Sequence, residues 1–304
     1  MLFTIFTPTF NRAHTLHRVY NSIKKQTLKD YEWLIIDDGS TDNTKNLISK
    51  WNKKNHFPII YKYKKNQGKH LAINDGVKIA NGRFFLIADS DDSFPKDSLK
   101  TMYDFWLSIP KKSRDKFAGI SGLCEYENGN IVGNKFPFSP MDSTPQEIYF
   151  KYKVKGEKWG FFVKDILKKY PFPRNKETNF MFESFIWQQI GKKYKFRYIN
   201  QVLRTYFPNE KLSLTNKNYK NKIKNSKYYA LSLDENIKYF KYSPIEILKI
   251  SLLGIRFSLH NGDKISNQII RLKNNKSRII WIVILIPGFI FFLIDKFVDV
   301  FEKN

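Results

Sequence analysis

Residues 84–95 constrain this chain more than any other segment, because a short apolar run passes directly into a cluster of carboxylates. Residues 84–88 are apolar throughout, as in a strand buried in a sheet, and Asp89, Asp91 and Asp92 follow them. Crowded carboxylates repel one another, and a cation between them relieves that repulsion. Their hard oxygen atoms suit magnesium or manganese, which in turn suits a diphosphate. The segment predicts a metal–nucleotide site at the carboxyl end of a strand, with a solvated acidic turn before a helix as the alternative.

Two further candidate strands, the apolar run at residues 33–36 and the segment at 2–8, are followed by polar side chains in the same way. The polar residues that follow them are Asp37 and Asp38 in the first case and Thr9, Asn11 and Arg12 in the second. Residues 59–63 form another candidate strand. The carboxyl ends of parallel strands meet at one edge of a sheet, where ligands of α/β proteins bind. These polar strand ends therefore predict a shared site.

Apolar residues at helical spacing separate or follow these strands. The three stripes are Leu16, Val19, Tyr20 and Ile23; Leu71, Ile73, Val77 and Ala80; and Leu99, Met102, Tyr103 and Trp106. We assign these residues to the core. Strands that alternate with helices over the first hundred residues predict an α/β fold with a mainly parallel sheet.

Four motifs occur in this order at suitable spacings, at residues 6–12, 36–42, 66–69 and 89–92. Together they resemble the family 2 glycosyltransferases, whose fold is the Rossmann-like GT-A fold of nucleotide-diphospho-sugar transferases. The resemblance is strong over residues 1–110 and extends, more weakly, over 150–207. It implies a catalytic domain at 1–208, with a donor half at 1–110 and an acceptor half at 111–208. Residues 209–304 would form a helical, membrane-associated extension.

The resemblance also implies roles for individual residues. The donor-binding residues would be Thr7, Pro8, Arg12, Asp37, Asp38, Gly68, Lys69, Asp89 and Ser90. Asp38 would contact the nucleotide base, and Lys69 would meet a phosphate, although a solvated surface lysine is the alternative. Asp89, Asp91 and Asp92 would form the metal-binding motif for manganese or magnesium, with Asp91 as the most direct ligand.

Sugar transfer with inversion also requires a base that takes the proton of the acceptor hydroxyl. The resemblance implies Glu183 for this role, at the start of an apolar helix. Ser184 stands where many relatives have a second acidic residue, and a glutamate that only favours the helix dipole is the alternative. Glu157 and Glu177 are lesser candidates, and Trp159 is a candidate for a sugar-stacking surface.

The chain changes composition after about residue 208. A basic segment at 216–227 and an amphipathic segment at 243–259 precede a second basic segment at 271–278 and an uncharged apolar run at 279–294. A full membrane span needs about 20 residues, and Pro287-Gly288 would break or kink a helix here. The run therefore predicts a monotopic or re-entrant anchor, with a helix packed on the main domain as the alternative.

The formal net charge of +25 requires an anionic partner. Basic residues are spread over the chain without a nucleic-acid motif, so an anionic membrane and a lipid-diphosphate acceptor explain the charge better than nucleic acid. The lone Cys124 excludes an intramolecular disulfide. The sequence contains neither the glycine fingerprint of dinucleotide enzymes after a strand nor a P-loop.

These observations predict a metal-dependent, inverting glycosyltransferase at the cytoplasmic membrane face, peripheral or monotopic, that acts in surface polysaccharide or capsule synthesis. By the resemblance, its donor would be a nucleotide-sugar, namely a UDP-sugar, and its acceptor a lipid-diphosphate-linked glycan. One alternative is a sugar-phosphate nucleotidyltransferase, although residues 7–12 lack the glycines of its phosphate loop. The other is a non-catalytic basic membrane or nucleic-acid adaptor, which the intact acidic motif disfavours.

Overall fold

The computed structural model describes residues 1–174, 178–208 and 218–301. The chain divides into two compact units, Met1–Lys211 and Leu212–Asn304. The boundary that we expect after residue 208 lies at the edge of the described residues and stays a prediction.

The first unit is built on one eight-stranded sheet. Its strands are β1 (Phe3–Thr9), β2 (Tyr31–Asp37), β3 (Ile59–Tyr63), β4 (Phe84–Ile87), β5 (Phe117–Tyr126), β6 (Met141–Ser143), β7 (Lys158–Val163) and β8 (Lys195–Tyr206). They lie in the order β3-β2-β1-β4-β7-β5-β8-β6. The four N-terminal strands are parallel, β7 is antiparallel to both of its neighbours, and β5 and β8 are parallel. The predicted α/β fold with a mainly parallel sheet is confirmed.

Parallel pairing aligns the strand ends that the sequence singled out. Thr9 lies opposite Asp37 in the β1–β2 pair, and Phe6 lies opposite Ile87 in the β1–β4 pair. The polar residues after β1, β2 and β4 therefore meet at one edge of the sheet.

Helices cover the sheet of the first unit and supply the predicted apolar stripes. They are α1 (His17–Lys24), α2 (Thr44–Lys53), α3 (Lys69–Ile79), α4 (Ser98–Leu107), α5 (Lys164–Leu167) and α6 (Glu183–Gly191). Val19 and Ile23 of α1 are fully buried, as are Leu99 and Met102 of α4. In α3 the buried face differs by one residue from the predicted stripe: Ala72 is buried, whereas Leu71 is half-exposed.

Aromatic side chains dominate the core on one face of the sheet. The rings of Phe84 and Phe161 lie 4.3 Å apart between centroids. Trp159 belongs to this core, because it is 5% exposed and its indole N–H donates to the carbonyl oxygen of Ile87 at 2.6 Å. The interpretation of Trp159 as part of a sugar-stacking surface is therefore wrong: both its ring and its polar atom are used inside the fold.

The second unit is helical throughout its described secondary structure. Its α-helices are α7 (Asn218–Lys224), α8 (Lys227–Asn236), α9 (Pro244–His260), α10 (Ile265–Ile270) and α11 (Asn275–Phe301). Of the predicted break or kink at Pro287, the break is wrong, since α11 continues through this residue. A proline removes one backbone hydrogen bond from a helix, and the remaining turns carry the helix on.

Helix α11 is also longer than the uncharged run. The stretch Asn275–Val298 has 24 residues with a mean hydropathy of 2.4, which is long and apolar enough to cross a membrane. Trp281 is fully buried, and a Cβ atom added to Gly254 of α9 would collide with its ring. Only 17% of the apolar window is buried, so α11 has one narrow packed face and a wide exposed apolar face.

Candidate active site

Asp38 joins the end of β2 to the loop before α3. Its carboxylate accepts the backbone N–H groups of Gln67 at 2.9 Å and of Gly68 at 2.7 Å. Burial raises the pKa of Asp38, and these two hydrogen bonds oppose that rise. The carboxylate therefore fixes the position from which α3 begins.

Gly68 is required at this position for two reasons. Its φ of +97° lies in the left-handed region that favours glycine, and a Cβ atom would collide with the carbonyl oxygen of Asn179. The Asn179 side chain also donates to the Oδ1 atom of Asn66 at 3.2 Å. Loop 66–68 is thus held between Asp38 on one side and the segment before α6 on the other.

Three of the predicted donor-binding residues have side chains that are buried in the interior of the first unit. Thr7 is fully buried, and its hydroxyl accepts the indole N–H of Trp33 at 2.9 Å. Asp37 is 1% exposed and accepts the Tyr61 hydroxyl at 2.7 Å. Pro8 is buried within β1. These residues stabilise the ends of β1 and β2 from the interior.

The three aspartates of the acidic motif have different cationic partners. Asp89 Oδ1 lies 2.6 Å from Lys69 Nζ. Asp91 Oδ2 lies 3.6 Å from an Arg12 nitrogen. Asp92 faces Arg204 at 3.1 Å. Arg12 follows β1, Lys69 begins α3 and Arg204 lies in β8, so the motif joins several parts of the first unit.

These surroundings separate the pKa values of the aspartates. Burial would raise the pKa of Asp89, but the charges of Lys69 and Arg204 lower it below its ordinary value. Burial, reinforced by the charge of Asp89, raises the pKa of Asp91. Burial raises the pKa of Asp92 to about 7, against the opposing charge of Arg204 and with the help of Asp89 and Asp91.

Thr15, just before α1, and Arg18, within α1, fix the backbone of the motif. The Thr15 hydroxyl donates to the carbonyl oxygen of Ser90 at 2.9 Å, and Arg18 donates to that of Asp91 at 3.0 Å. Ser90 is thereby placed in the site by its main chain, with the residue itself buried.

Glu183 is the first residue of α6 and joins this site through Lys69. Its Oε1 atom lies 2.7 Å from Lys69 Nζ. The side chains of Lys69, Asp89 and Glu183 are 25%, 30% and 30% exposed. Glu157 lies on the far side of Arg204, at 3.3 Å, and Glu177 lies outside the described residues.

One functional candidate, Arg204, escaped the sequence analysis, and Asn11 was named there only as a polar residue after β1. Arg204 of β8 contacts both Asp92 and Asp89, at 3.1 and 3.7 Å. Arg204 belongs to none of the motifs found in the sequence. The apolar residues before it were the one sequence feature that could have indicated a buried arginine. Asn11, with a φ of +53°, accepts the backbone N–H of Thr41 at 2.8 Å and so shapes the loop after Asp38.

Replacing Arg204 by methionine is expected to destabilise the first unit by about 2 kcal/mol, because a buried carboxylate loses its partner. Asp92 is 4% exposed on its side chain and depends on this contact. Urea unfolding of the purified chain measures the loss. Adding Asp92→Asn to the Arg204→Met variant is expected to restore part of the stability, and two additive losses would contradict the coupling.

The described residues contain no group of three or more His, Cys, Asp or Glu side chains that could hold a metal ion by themselves. Magnesium and manganese are commonly held by one or two carboxylates together with substrate phosphates. Asp91 suits that arrangement, since its side chain is 20% exposed and its ion pair is long, at 3.6 Å. The residues therefore fit a cation that binds together with a diphosphate.

The sheet order and the acidic motif after β4 define an α/β protein of the GT-A fold. The profile of the family described as Glycosyl transferase family 2 matches residues 4–163, more than half of the chain. This chain belongs to that family.

Two relatives act in bacterial glycan synthesis according to their names. The GalNAc(5)-diNAcBac-PP-undecaprenol beta-1,3-glucosyltransferase of Campylobacter jejuni is 27% identical over 209 residues, covering 67% of this chain and 63% of the relative. The UDP-Glc:alpha-D-GlcNAc-diphosphoundecaprenol beta-1,3-glucosyltransferase WfgD of Escherichia coli is 26% identical over 203 residues, covering 66% and 73%. The chain spans less than two thirds of the Campylobacter enzyme and 25% of the Streptococcus pneumoniae glycosyltransferase GlyA.

Two solved structures share the fold. Staphylococcus aureus TarS 1–349 in complex with UDP-GlcNAc has a TM-score of 0.62 and 19% identity, covering 95% of this chain and 80% of TarS. The mannosyltransferase PcManGT from Pyrobaculum calidifontis, in complex with GDP-Man and Mn2+, has a TM-score of 0.53 and 17% identity, covering 97% and 87%.

Proposed function

We propose that this chain is a metal-dependent, inverting glycosyltransferase. It moves a sugar from a nucleotide-diphosphate donor, a UDP-sugar, to a lipid-diphosphate-linked glycan at the cytoplasmic face of the membrane. Residues 1–110 supply the donor side and residues 111–208 the acceptor side.

The observation that carries the proposal is the short distance between the acidic motif and the candidate base. One ammonium group, Lys69 Nζ, lies 2.6 Å from Asp89 and 2.7 Å from Glu183. A diphosphate near Asp89 and Asp91 and an acceptor hydroxyl near Glu183 would therefore be close enough for direct transfer.

In this mechanism Glu183 accepts the proton of the acceptor hydroxyl while that oxygen attacks the anomeric carbon. The bond from the anomeric carbon to the diphosphate breaks, and the diphosphate oxygen takes the electron pair. Attack from the face opposite the leaving group inverts the anomeric configuration. Asp91 with Asp89 would hold a manganese or magnesium ion, which would supply positive charge to stabilise the departing diphosphate.

The acceptor class rests on the relatives and on charge. The names of the Campylobacter and Escherichia enzymes both include a diphosphate-linked undecaprenol acceptor. The net charge of +25 favours a substrate presented at an anionic surface.

A transfer assay tests the proposal with the full chain in detergent. UDP-glucose, UDP-GlcNAc, UDP-galactose and GDP-mannose are each offered with a synthetic polyprenyl-diphosphate-GlcNAc, in manganese or in chelator. One donor is expected to yield UDP and a product heavier by one sugar, in manganese only, with inverted configuration by NMR. Formation of a nucleotide-sugar from UTP and a sugar phosphate would instead favour the nucleotidyltransferase, and inactivity with every pair would contradict the proposal.

Membrane association is expected to depend on the exposed face of α11. Ile282, Val283, Ile286 and Ile290 are 54%, 66%, 72% and 50% exposed. Changing all four to serine removes about 1.5 kcal/mol or more of apolar burial per residue in a lipid phase. The variant is therefore expected to move from the membrane pellet to the soluble fraction.

The control keeps the exposed apolar face of α11 and changes only two basic residues, Lys273 just before the helix and Lys276 in its first turn. Lys273→Gln with Lys276→Gln is expected to weaken binding to anionic vesicles by about 1 kcal/mol per residue, without full release. Substitution tests this point better than truncation before Ser277, which would remove the buried Trp281. A serine variant that stays in the pellet would place the anchor elsewhere.

A further inference from the structure

Lys69 links two carboxylates that the proposed mechanism uses separately. Its Nζ atom lies 2.6 Å from Asp89 Oδ1 and 2.7 Å from Glu183 Oε1. The other oxygen of Asp89 lies 3.7 Å from Arg204. The result is a row of alternating charges, Arg204–Asp89–Lys69–Glu183, that runs from β8 to the start of α6.

The main chain holds Lys69 at this position. It is the first residue of α3 and follows Gly68, whose N–H is bound by Asp38 at 2.7 Å. The carbonyl oxygen of Asn179 lies so close that no side chain fits at Gly68. Helix α3 therefore begins at a fixed point between the donor strands and the segment that leads into α6.

Lys69 is enclosed between its two carboxylate partners, and its side chain is only 25% exposed. In the described part of the chain, Lys69 is the ion-pair partner of Glu183. To reach a donor phosphate, the ammonium would have to leave one of two short contacts.

We propose that Lys69 is a positioning residue for the candidate base: it holds Glu183 Oε1, so that Oε2 is presented to the acceptor hydroxyl. Asp89 and Arg204 hold Lys69 in turn. This inference rests on the proposed function and differs from the expectation that Lys69 binds a donor phosphate. The two roles predict effects on different constants. Loss of a phosphate contact raises the Kd for the donor, whereas loss of an oriented base lowers kcat.

The first test compares transfer with donor binding in Lys69→Met. The value of kcat is expected to fall about 10- to 100-fold, the scale of a misplaced catalytic group. The Kd for UDP in manganese, measured by calorimetry without acceptor, is expected to change by less than about threefold. Lys69→Arg, which keeps the charge, is expected to retain more of kcat than Lys69→Met.

A double-mutant cycle shows whether Lys69 acts through Glu183. In a Glu183→Gln background, Lys69→Met is expected to lower the residual rate by less than about twofold, because the base is already lost. Lys100→Met is the matched control, since it breaks an exposed ion pair with Asp104 at 2.6 Å outside the site. It is expected to leave kcat and Kd unchanged, and thermal unfolding verifies that each variant is folded.

Three results would overturn the inference. A rise of about tenfold or more in the Kd for UDP with kcat retained would assign Lys69 to the phosphate. Fully additive losses in the double mutant would show that Lys69 does not act through Glu183, and a variant Lys69→Met with wild-type kcat would remove the role altogether. A wild-type chain that transfers no sugar overturns the proposed function itself, which the earlier donor and acceptor panel detects separately.

Discussion

A chain that carries Glu183→Gln is expected to bind its donor almost normally and to transfer the sugar at least about 100-fold more slowly, the scale of a lost general base. The amide keeps the size of the side chain but cannot accept the acceptor proton. Glu183 begins α6, and Lys69 Nζ lies 2.7 Å from its carboxylate. The kcat value, the donor KM and the Kd for UDP in manganese separate the transfer step from donor binding.

Glu127→Gln is the matched control, because Glu127 lies exposed in the first unit and takes no part in the site. It is expected to keep the wild-type rate. Near-wild-type transfer by Glu183→Gln would show that the base lies elsewhere. Glu157, which contacts Arg204 at 3.3 Å, is then the next residue to substitute, followed by Glu177.

Much of the sheet was predictable because its central strands have a simple signature. An unbroken apolar run such as β4 is stable only where both faces are covered, and its polar end then marks the sheet edge. The place of β7 between β4 and β5 was not predictable. Its burial is mixed, and pairing with strands distant in sequence leaves no local pattern in the residues.

The site was predictable at the level of motifs but less so at that of side chains. The acidic motif, Asp38, Gly68 and Glu183 belong to segments whose order and spacing carry information. Thr7 has a motif position as well, yet its hydroxyl is used by Trp33 inside the core. Arg204 shows the converse, since its importance arises only when β8 brings it to Asp92.

The length of helix α11 was underestimated when only its uncharged residues were counted. Sixteen uncharged residues suggested a segment too short for a full span, but a helix is continued by any residue that can adopt its backbone. Charged residues at the ends therefore extend α11 to Asn275–Phe301. Its Asp295 is accommodated by Arg256 at 2.6 Å and His260 at 2.8 Å, contacts that the linear sequence does not reveal.

Asp91→Ala is expected to abolish the metal dependence of donor binding while leaving the fold intact. Asp91 pairs with Arg12 at 3.6 Å, whereas the short contacts of Asp89 with Lys69 and of Asp92 with Arg204 do not involve it, so its removal leaves those contacts in place. Asp89→Ala is expected to have the same effect on the metal and also to release Lys69. Calorimetry with a UDP-sugar, in manganese and in chelator, measures both effects.

A metal ion bound by both the protein and the diphosphate predicts a specific pattern of donor affinities. In wild type, manganese should strengthen donor binding, because one or two carboxylates and the phosphate oxygens bind the ion together. In Asp91→Ala, affinity in manganese should equal affinity in chelator, whereas Asp104→Ala, at an exposed position of α4, should behave as wild type. Metal-dependent affinity that survives in both Asp91→Ala and Asp89→Ala would show that these residues do not hold the ion. Donor binding that is equal in manganese and chelator in wild type would show that nucleotide recognition here needs no metal, leaving Lys69, Arg204 and Arg12 as cations in contact with the motif.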